Sequence, residues 1–100
     1  MVHLNMIRTF RDKWLDDYYF NGENSSNIPS TIEKALDRKL LIIHAARGEK
    51  DLRVPPGNQF EHLKGTLKGW CSIRVNKKYR VIFQWASGEA SRVYLDPHKY

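Results

Sequence analysis

Residues 70–95 read WCSIRVNKKYRVIFQWASGEASRVYL, and this stretch decides the fold. It holds three runs rich in β-branched and aromatic residues, at 70–75, 79–85 and 90–95, separated by two short polar connections. Apolar runs punctuated by turn residues are typical of hairpins. The stretch therefore predicts three consecutive antiparallel strands.

The register of these strands follows from their apolar residues, which share one side if one face of the sheet is buried. Connections of three residues at both hairpins achieve this arrangement. The expected pairs are Val75–Tyr79, Ile73–Val81, Cys71–Phe83, Phe83–Val93 and Val81–Leu95. The other side then carries Arg74, Arg80 and Asp96 in one row, Ile82 and Tyr94 in a second, and Gln84 and Arg92 beyond.

The second hairpin contains a conflicting signal. Ser87-Gly88 alone suits a two-residue turn, which would shift the register by one residue. That shift would turn Arg92, Tyr94 and Asp96 toward the core. We expect the apolar pattern to outweigh the turn residues.

Arg74 and Arg80 are directly opposed in the expected register, which destabilises a strand pair unless an anion lies beside them. Asp96, in the same row, is one candidate, and the three would then form a surface cluster that neutralises itself. The functional interpretation is that the row binds a phosphate group. Both interpretations place the three side chains on one face.

The N-terminal half predicts two helices. Residues 7–10 are β-capable, and residues 12–20 (DKWLDDYYF) predict a short helix. A second helix is expected to begin at Ser30, which forms a capping box with Glu33, and to end before Gly48. We therefore expect an α+β fold, with two N-terminal helices packed on one face of a small, mainly antiparallel sheet.

The length of 100 residues and the hydrophobic content of 41% fit one domain over 1–100 with one modest core. Met6 is an alternative start, so residues 1–5 are a candidate N-terminal extension. A core of this size leaves little room for a deep cavity, which favours a macromolecular substrate on an exposed face.

The net charge of +6 is concentrated in one region. Residues 47–80 hold nine Lys/Arg against three Asp/Glu, and the remainder balances at eight of each. This basic segment could meet phosphate groups or an acidic protein surface. The alternative is a solvated face that serves only solubility.

Cys71 is the only cysteine, which excludes an internal disulfide and suits a reducing compartment. The chain has no run of about 18 apolar residues and no signal-peptide pattern. We expect a cytoplasmic protein without membrane contact.

Cleavage of RNA without a metal requires a base for the 2′-hydroxyl, a cation for the phosphorane and an acid for the leaving 5′-oxygen. Arg80, Asp96 and His98 are candidates, because an extended tail would point all three to one face. The alternative is that His98, near the C-terminus, is frayed and inert. The histidines lack metal-ligand spacing and no Gly-rich loop opens a helix, so we expect no metal and no nucleotide cofactor.

Glu61 and His62 are both candidates for the second proton-transfer group, and Lys64 could neutralise phosphate. Only one of Glu61 and His62 faces the site if this segment is extended, and the sequence leaves both alternatives open. Arg74, Lys77 and Lys78 are further candidates for binding phosphate.

The string GWCSIRVNKKYRVIF (69–83), preceded by LRVPPGNQFEHLKG and closed by Leu95-Asp96-Pro97-His98, resembles the HigB-type toxins of the RelE/ParE superfamily. The resemblance covers nearly the whole chain. It implies the toxin of a type II toxin–antitoxin system, a ribosome-dependent endoribonuclease that cleaves messenger RNA. It also implies neutralisation by a helix-turn-helix, HigA-like antitoxin, and operator DNA contact only through that antitoxin.

The resemblance assigns family roles to matching positions. Arg80 matches a catalytic arginine, Asp96 and His98 match a C-terminal Asp-Tyr-His motif, and Lys64 matches a functional lysine. Two positions depart from the pattern: Pro97 replaces the tyrosine of the motif, and Glu61 stands where some members have a catalytic histidine. An alternative function is a non-catalytic poison that binds gyrase or the ribosome. A third is an inactive or purely regulatory nucleic-acid-binding domain.

Overall fold

The computed structural model describes residues 6–97. Its strands are β1 (Met6–Ile7), β2 (Glu61–His62), β3 (Trp70–Arg74), β4 (Tyr79–Ala86) and β5 (Glu89–Pro97). Its helices are α1 (Lys13–Asn21), α2 (Glu33–Ala45) and α3 (Glu49–Leu52), with 3₁₀ turns at Ser30–Ile32, Pro56–Asn58 and Gly65–Leu67. The proposed extension at residues 1–5 lies outside the described residues.

The strands form one sheet in the order β1-β5-β4-β3-β2. The three consecutive antiparallel strands predicted from residues 70–95 are present as β3, β4 and β5, and β2 joins their edge in an antiparallel pair. At the other edge, β1 runs parallel to β5. The α+β class is confirmed, but the sheet is mixed and α3 is a third helix that the sequence did not predict.

The β3–β4 hairpin has the predicted register, with Ile73 opposite Val81 and Arg74 opposite Arg80. The side chain of Asn76 holds the connection, because its Oδ1 accepts hydrogen bonds of 2.8 Å from the backbone N–H groups of Lys78 and Tyr79. The asparagine thereby stabilises a tight turn with its own amide oxygen.

The β4–β5 hairpin satisfies both of the signals that conflicted in the sequence. Ser87 and Gly88 form a two-residue turn with φ of 55° and 76°, as a type I′ turn requires. Val81 is nevertheless opposite Leu95, as the apolar pattern predicted. A β-bulge reconciles the two, because Arg92 and Val93 together lie opposite Phe83.

Because of the bulge, one row of the open face differs from the prediction. Gln84 lies opposite Ser91, not Arg92. Arg92 adopts the left-handed conformation, with φ of 54°, and its side chain is exposed. One inserted residue thus turns the second half of β5 back into the register that buries Val93 and Leu95.

Helix α1 ends as a glycine-terminated helix should. Gly22 has φ of 69°, and its backbone N–H donates a hydrogen bond to the carbonyl oxygen of Asp17. The predicted ends of the second helix were wrong. Ser30 begins a 3₁₀ turn, and the carbonyl oxygen of Ser30 accepts a hydrogen bond from the backbone N–H of Glu33. The predicted side-chain capping box does not form.

Gly48 is extended, with φ of −154°, and precedes α3 instead of terminating α2. Helix α2 ends at Ala45, and the backbone of Ala46 is already extended. The next residue, Arg47, donates its backbone N–H to the Asp51 carboxylate at 2.9 Å. A side-chain acceptor here replaces the helical carbonyl, and this explains the early end of the helix.

The core lies between the helices and one side of the sheet. Leu15, Leu36, Leu40, Ile43 and Leu52 of the helices pack with Cys71, Ile73, Val81, Phe83, Val93 and Leu95 of the strands. We call the other side of the sheet the open face. Residues at alternate strand positions point there: Glu61, Trp70, Ser72, Arg74, Arg80, Ile82, Gln84, Tyr94 and Asp96. Between residues 6 and 97, no helix is long and apolar enough to cross a membrane.

Candidate functional site

Arg80 and Glu61 form an ion pair on the open face. Nη1 of Arg80 lies 2.7 Å from Oε1 of Glu61, and 13% of the arginine side chain is exposed against 49% of the glutamate side chain. Since β3 separates β4 from β2, the arginine side chain must cross β3 near Ser72, the residue opposite Glu61. The charge is therefore displaced toward β2, while its backbone stays in the middle of the sheet.

The neighbouring arginine points elsewhere. Arg74 is directly opposite Arg80, but its Nε donates a hydrogen bond of 3.1 Å to the backbone oxygen of Asn76. The two guanidinium groups are thus held by different acceptors, which relieves the like-charge repulsion expected for an opposed pair.

Asp96 lies opposite Arg80 on β5, as predicted, and is partly exposed. Of the two interpretations of this row, neutralisation of the arginines by Asp96 is not observed between residues 6 and 97, where the ion-pair partner of Arg80 is Glu61. The carboxylate of Glu61 reaches the guanidinium because both side chains lie on the same face of the sheet. We call Glu61, Arg74, Arg80 and Asp96 the charged cluster.

The structure separates Glu61 from His62, the alternatives that the sequence left open. Because successive strand residues point to opposite faces, His62 lies on the helix side. Its Nε2 is 2.8 Å from Oε1 of Glu49, and its Nδ1 is 3.5 Å from Sγ of Cys71. His62 is therefore not part of the charged cluster, whereas Glu61 is.

The contacts of His62 join α3 to the edge of the sheet. Glu49 also accepts a 2.7 Å hydrogen bond from Arg53, which lowers the pKa of its carboxyl, and the contact with His62 lowers it further. Burial and the charge of Glu49 raise the pKa of the Cys71 thiol to about 11, so the thiol stays protonated near neutral pH.

The predicted phosphate-binding lysines are all exposed. Lys77 and Lys78 lie in the β3–β4 connection, next to the Arg74–Arg80 pair. Lys64 follows β2 and precedes the 3₁₀ turn at Gly65–Leu67. His98 lies outside the described residues, and Pro97, opposite Tyr79, is the last residue of β5.

The open face carries a second group of side chains, which includes Trp70, a residue that the sequence did not single out as a site residue. The ring centroids of Trp70 and Tyr94 are 5.7 Å apart with an interplanar angle of 75°. The guanidinium carbon of Arg11 lies 3.9 Å from the centroid of the Tyr94 ring. We call Arg11, Trp70 and Tyr94 the stacking cluster.

The signal for Trp70 was present in the sequence. It alternates with Cys71 and Ile73, which face the core, and so belongs to the side that carries Ser72 and Arg74. Arg11 could not be found in this way, because it lies outside the strands and is brought to Tyr94 by a backbone hydrogen bond of 2.9 Å to Val93.

The charged cluster combines two fixed guanidinium groups with two carboxylates on an accessible surface. Guanidinium groups bind phosphate oxygens through charge-assisted hydrogen bonds, and a carboxylate can accept a proton from a nearby hydroxyl. The arrangement can therefore hold a phosphodiester and exchange a proton beside it.

The family model described as "RelE-like toxin of type II toxin-antitoxin system HigB" matches residues 8–98. Toxin HigB-1 of Vibrio cholerae is 62% identical over 95 residues, covering 95% of this chain and 100% of the relative. An uncharacterized protein of Haemophilus influenzae is 45% identical over 91 residues, covering 91% of this chain and 90% of the relative.

Among solved structures, the YoeB–YefM complex of Staphylococcus aureus contains a similar fold, with a TM-score of 0.56. The alignment covers 98% of this chain and all of that chain at 19% identity, so this likeness concerns the fold alone. The sequence matches go further, because they span nearly the whole chain at high identity. The chain belongs to the family of RelE-like toxins of the type II toxin–antitoxin system HigB.

Proposed function

We propose that this toxin is a metal-independent, ribosome-dependent endoribonuclease that cleaves messenger RNA on the open face of its sheet. The observation that carries the proposal is the Arg80–Glu61 ion pair beside Arg74, which puts a cation and a base at one accessible position. Membership in a family of RelE-like toxins supports the same conclusion.

In the proposed reaction, the Glu61 carboxylate takes the proton of a ribose 2′-hydroxyl. The 2′-oxygen attacks the adjacent phosphorus, the bond from phosphorus to the 5′-oxygen breaks, and the products carry a 2′,3′-cyclic phosphate and a 5′-hydroxyl. Arg80 and Arg74 stabilise the negative charge of the phosphorane, as preorganised cations do most effectively. Glu61 releases Arg80 to the phosphate as it becomes neutral.

We assign the general acid to His98, which protonates the leaving 5′-oxygen, and the orientation of its imidazole to Asp96. Asp96 is on the same face as Arg80, and it is two residues before His98 in the sequence. Lys64, Lys77 and Lys78 bind neighbouring phosphates. His62 takes no part in the proposed reaction, because its side chain contacts Glu49 on the helix side of the sheet.

The dependence on the ribosome follows from the exposure of the site. An open sheet surface does not by itself hold a flexible single strand in the in-line geometry that the attack requires. The ribosome supplies that orientation, which can be worth several orders of magnitude in rate. The proposed cellular location is therefore the cytoplasm, where ribosomes and messenger RNA are found.

The proposed neutralising partner is a helix-turn-helix, HigA-like antitoxin, with operator DNA bound only through it. A toxin–antitoxin complex, YoeB–YefM of Staphylococcus aureus, is among the solved structures with a similar fold. A pull-down of the tagged toxin with the product of a neighbouring reading frame tests this partner, and failure to co-purify contradicts it.

The test of the activity is a reconstituted translation reaction in which messenger 5′ ends are mapped by primer extension. The wild type should create new ends, with naked messenger uncut and with chelation of contaminating transition metals having no effect on the rate. Arg80→Ala and His98→Ala should each lose the new ends, because they lack the phosphorane cation and the acid.

The matched control is Arg92→Ala, which removes an exposed arginine of the same sheet without touching the charged cluster. Equal cleavage by Arg80→Ala and the control would discard the proposed site. Growth inhibition that survives His98→Ala with intact messengers would instead indicate the alternative, a non-catalytic poison of gyrase or the ribosome.

A further inference from the structure

We propose that the stacking cluster of Arg11, Trp70 and Tyr94 binds one unpaired nucleobase of the RNA next to the cleaved phosphate. This inference rests on the proposed function for the identity of the ligand. The cluster itself is defined by contacts among side chains that the proposed reaction does not use.

The Arg11 guanidinium is held on two sides. One plane lies over the Tyr94 ring, with 3.9 Å from Cζ to the ring centroid. Its nitrogens Nε and Nη2 donate to the Asp12 carboxylate at 3.2 and 3.0 Å. The arginine side chain is nevertheless 52% exposed and therefore accessible to a ligand.

A guanidinium fixed in this way is a flat cation on which an aromatic ring can stack. Unpaired RNA bases stack on arginine planes as well as on aromatic side chains. Because the contacts with Tyr94 and Asp12 already restrict the Arg11 rotamers, a base loses little of its binding energy to ordering the side chain.

Trp70 closes one side of this platform. Its ring meets Tyr94 edge to face and is partly exposed, and its neighbour across the strands is Gln84. The indole presents a second surface at a steep angle to the tyrosine ring, and the amide of Gln84 can donate to or accept from a base edge. These ring surfaces and this amide suit a nucleobase as the ligand better than they suit a phosphate group.

The two clusters lie side by side on the open face, with Asp96 near the stacking cluster and the Arg80 guanidinium farther off, toward β2. Tyr94 is two residues from Asp96, which is about 7 Å along a strand and places the stacking cluster beside the charged cluster. A strand whose phosphodiester lies on the charged cluster can extend across β4 and β5 and carry a nearby base over Arg11. This arrangement makes the stacking cluster a determinant of which nucleotide flanks the cut.

The first test measures binding of the full chain to a 2′-O-methyl oligoribonucleotide, which cannot be cleaved because its 2′-oxygens have no proton. The probe is used intact and with an abasic site at each position in turn. Removal of one particular base should weaken binding roughly 5- to 150-fold, the range found for stacking of a single base.

The protein variants identify the subsite. Trp70→Leu and Arg11→Lys should weaken binding of the intact probe and cancel the effect of that abasic position, since the lost contact is the same. Trp70→Tyr should retain most of the affinity for the intact probe, because tyrosine still presents an aromatic ring. Arg8→Lys is the control, because Arg8 is an exposed arginine whose ion pair is with Glu89. No binding, or equal loss at every abasic position in wild type and variants, overturns the proposal.

The ribosome assay separates this inference from the proposed function. Trp70→Leu should slow cleavage about tenfold at the preferred codons and flatten the preference, while Arg80→Ala abolishes cleavage everywhere. Codon preference and rate unchanged in Trp70→Leu would overturn the stacking subsite but leave the endoribonuclease intact. An inactive wild type with base-dependent binding of the probe would overturn the endoribonuclease alone.

Discussion

The guanidinium of Arg80 contacts the carboxylate of Glu61 at 2.7 Å even though strand β3 lies between their two strands. The contact ties the middle of the sheet to the two-residue edge strand β2. It also explains why the arginine is mostly covered while the glutamate remains half exposed. The glutamate is the member of the pair that can meet a substrate hydroxyl first.

Replacement of Glu61 by glutamine should lower the rate of messenger cleavage about 10²- to 10⁴-fold, the usual contribution of a general base. The amide still fills the position but cannot accept the proton. Single-turnover cleavage on programmed ribosomes measures the rate. His62→Gln is the matched control, because the adjacent side chain faces the helices and should leave the rate nearly unchanged. A larger effect of His62→Gln than of Glu61→Gln would reverse our assignment.

Replacement of Ser72 by alanine should stabilise the fold. Ser72 is fully buried beneath the charged cluster, and within residues 6–97 its Oγ has no hydrogen-bonding partner. Removing an unsatisfied buried hydroxyl recovers its desolvation cost, about 1 kcal/mol. Urea denaturation measures the gain in the free energy of unfolding. Ser91→Ala, on β5 and partly exposed, should change it little, and a loss of stability in Ser72→Ala would show that the hydroxyl is satisfied.

Arg92 should tolerate glycine better than alanine. Its φ of 54° is the left-handed conformation, which costs a residue with a Cβ about 1 kcal/mol relative to glycine. Arg92→Gly should therefore have a higher free energy of unfolding than Arg92→Ala. At Ser91, the preceding residue, where the backbone φ is not positive, glycine should be less stable than alanine. The same order at both positions would mean that the bulge is not held at Arg92.

The stability of the fold should depend on Glu49 in a defined pH range. The pKa of its carboxyl is lowered in the folded protein, first by Arg53 and then by His62. A lowered folded pKa stabilises the protein above the unfolded pKa, and that stabilisation is lost as the pH falls through the folded value. The advantage of wild type over Glu49→Gln should thus be larger at about pH 6 than at about pH 3.

Urea midpoints of both proteins at the two pH values measure this difference. In an Arg53→Met background the pH dependence should be smaller, because the first cause of the shift is gone. An advantage of wild type that grows on acidification would contradict the sign of the prediction.

The strands and their faces were largely predictable because side-chain alternation is a local property. Arg74, Arg80 and Asp96 share one row as expected from the apolar pattern of their neighbours. The ends of the second helix were not predictable from Ser30 and Gly48, because the 3₁₀ turn and the hydrogen bond from Arg47 to Asp51 compete with the caps that those residues could form.

The sequence by itself determined that two hairpins bury one apolar side and present arginines on the other, since the register that buries Ile73, Val81 and Leu95 together places Arg74 and Arg80 on the opposite face. Only the tertiary structure decided that Glu61 and not His62 joins Arg80, and that Arg11 lies on Tyr94. Both contacts join segments far apart along the chain. Their geometry depends on how a short edge strand pairs and how a loop is anchored, which no local pattern encodes.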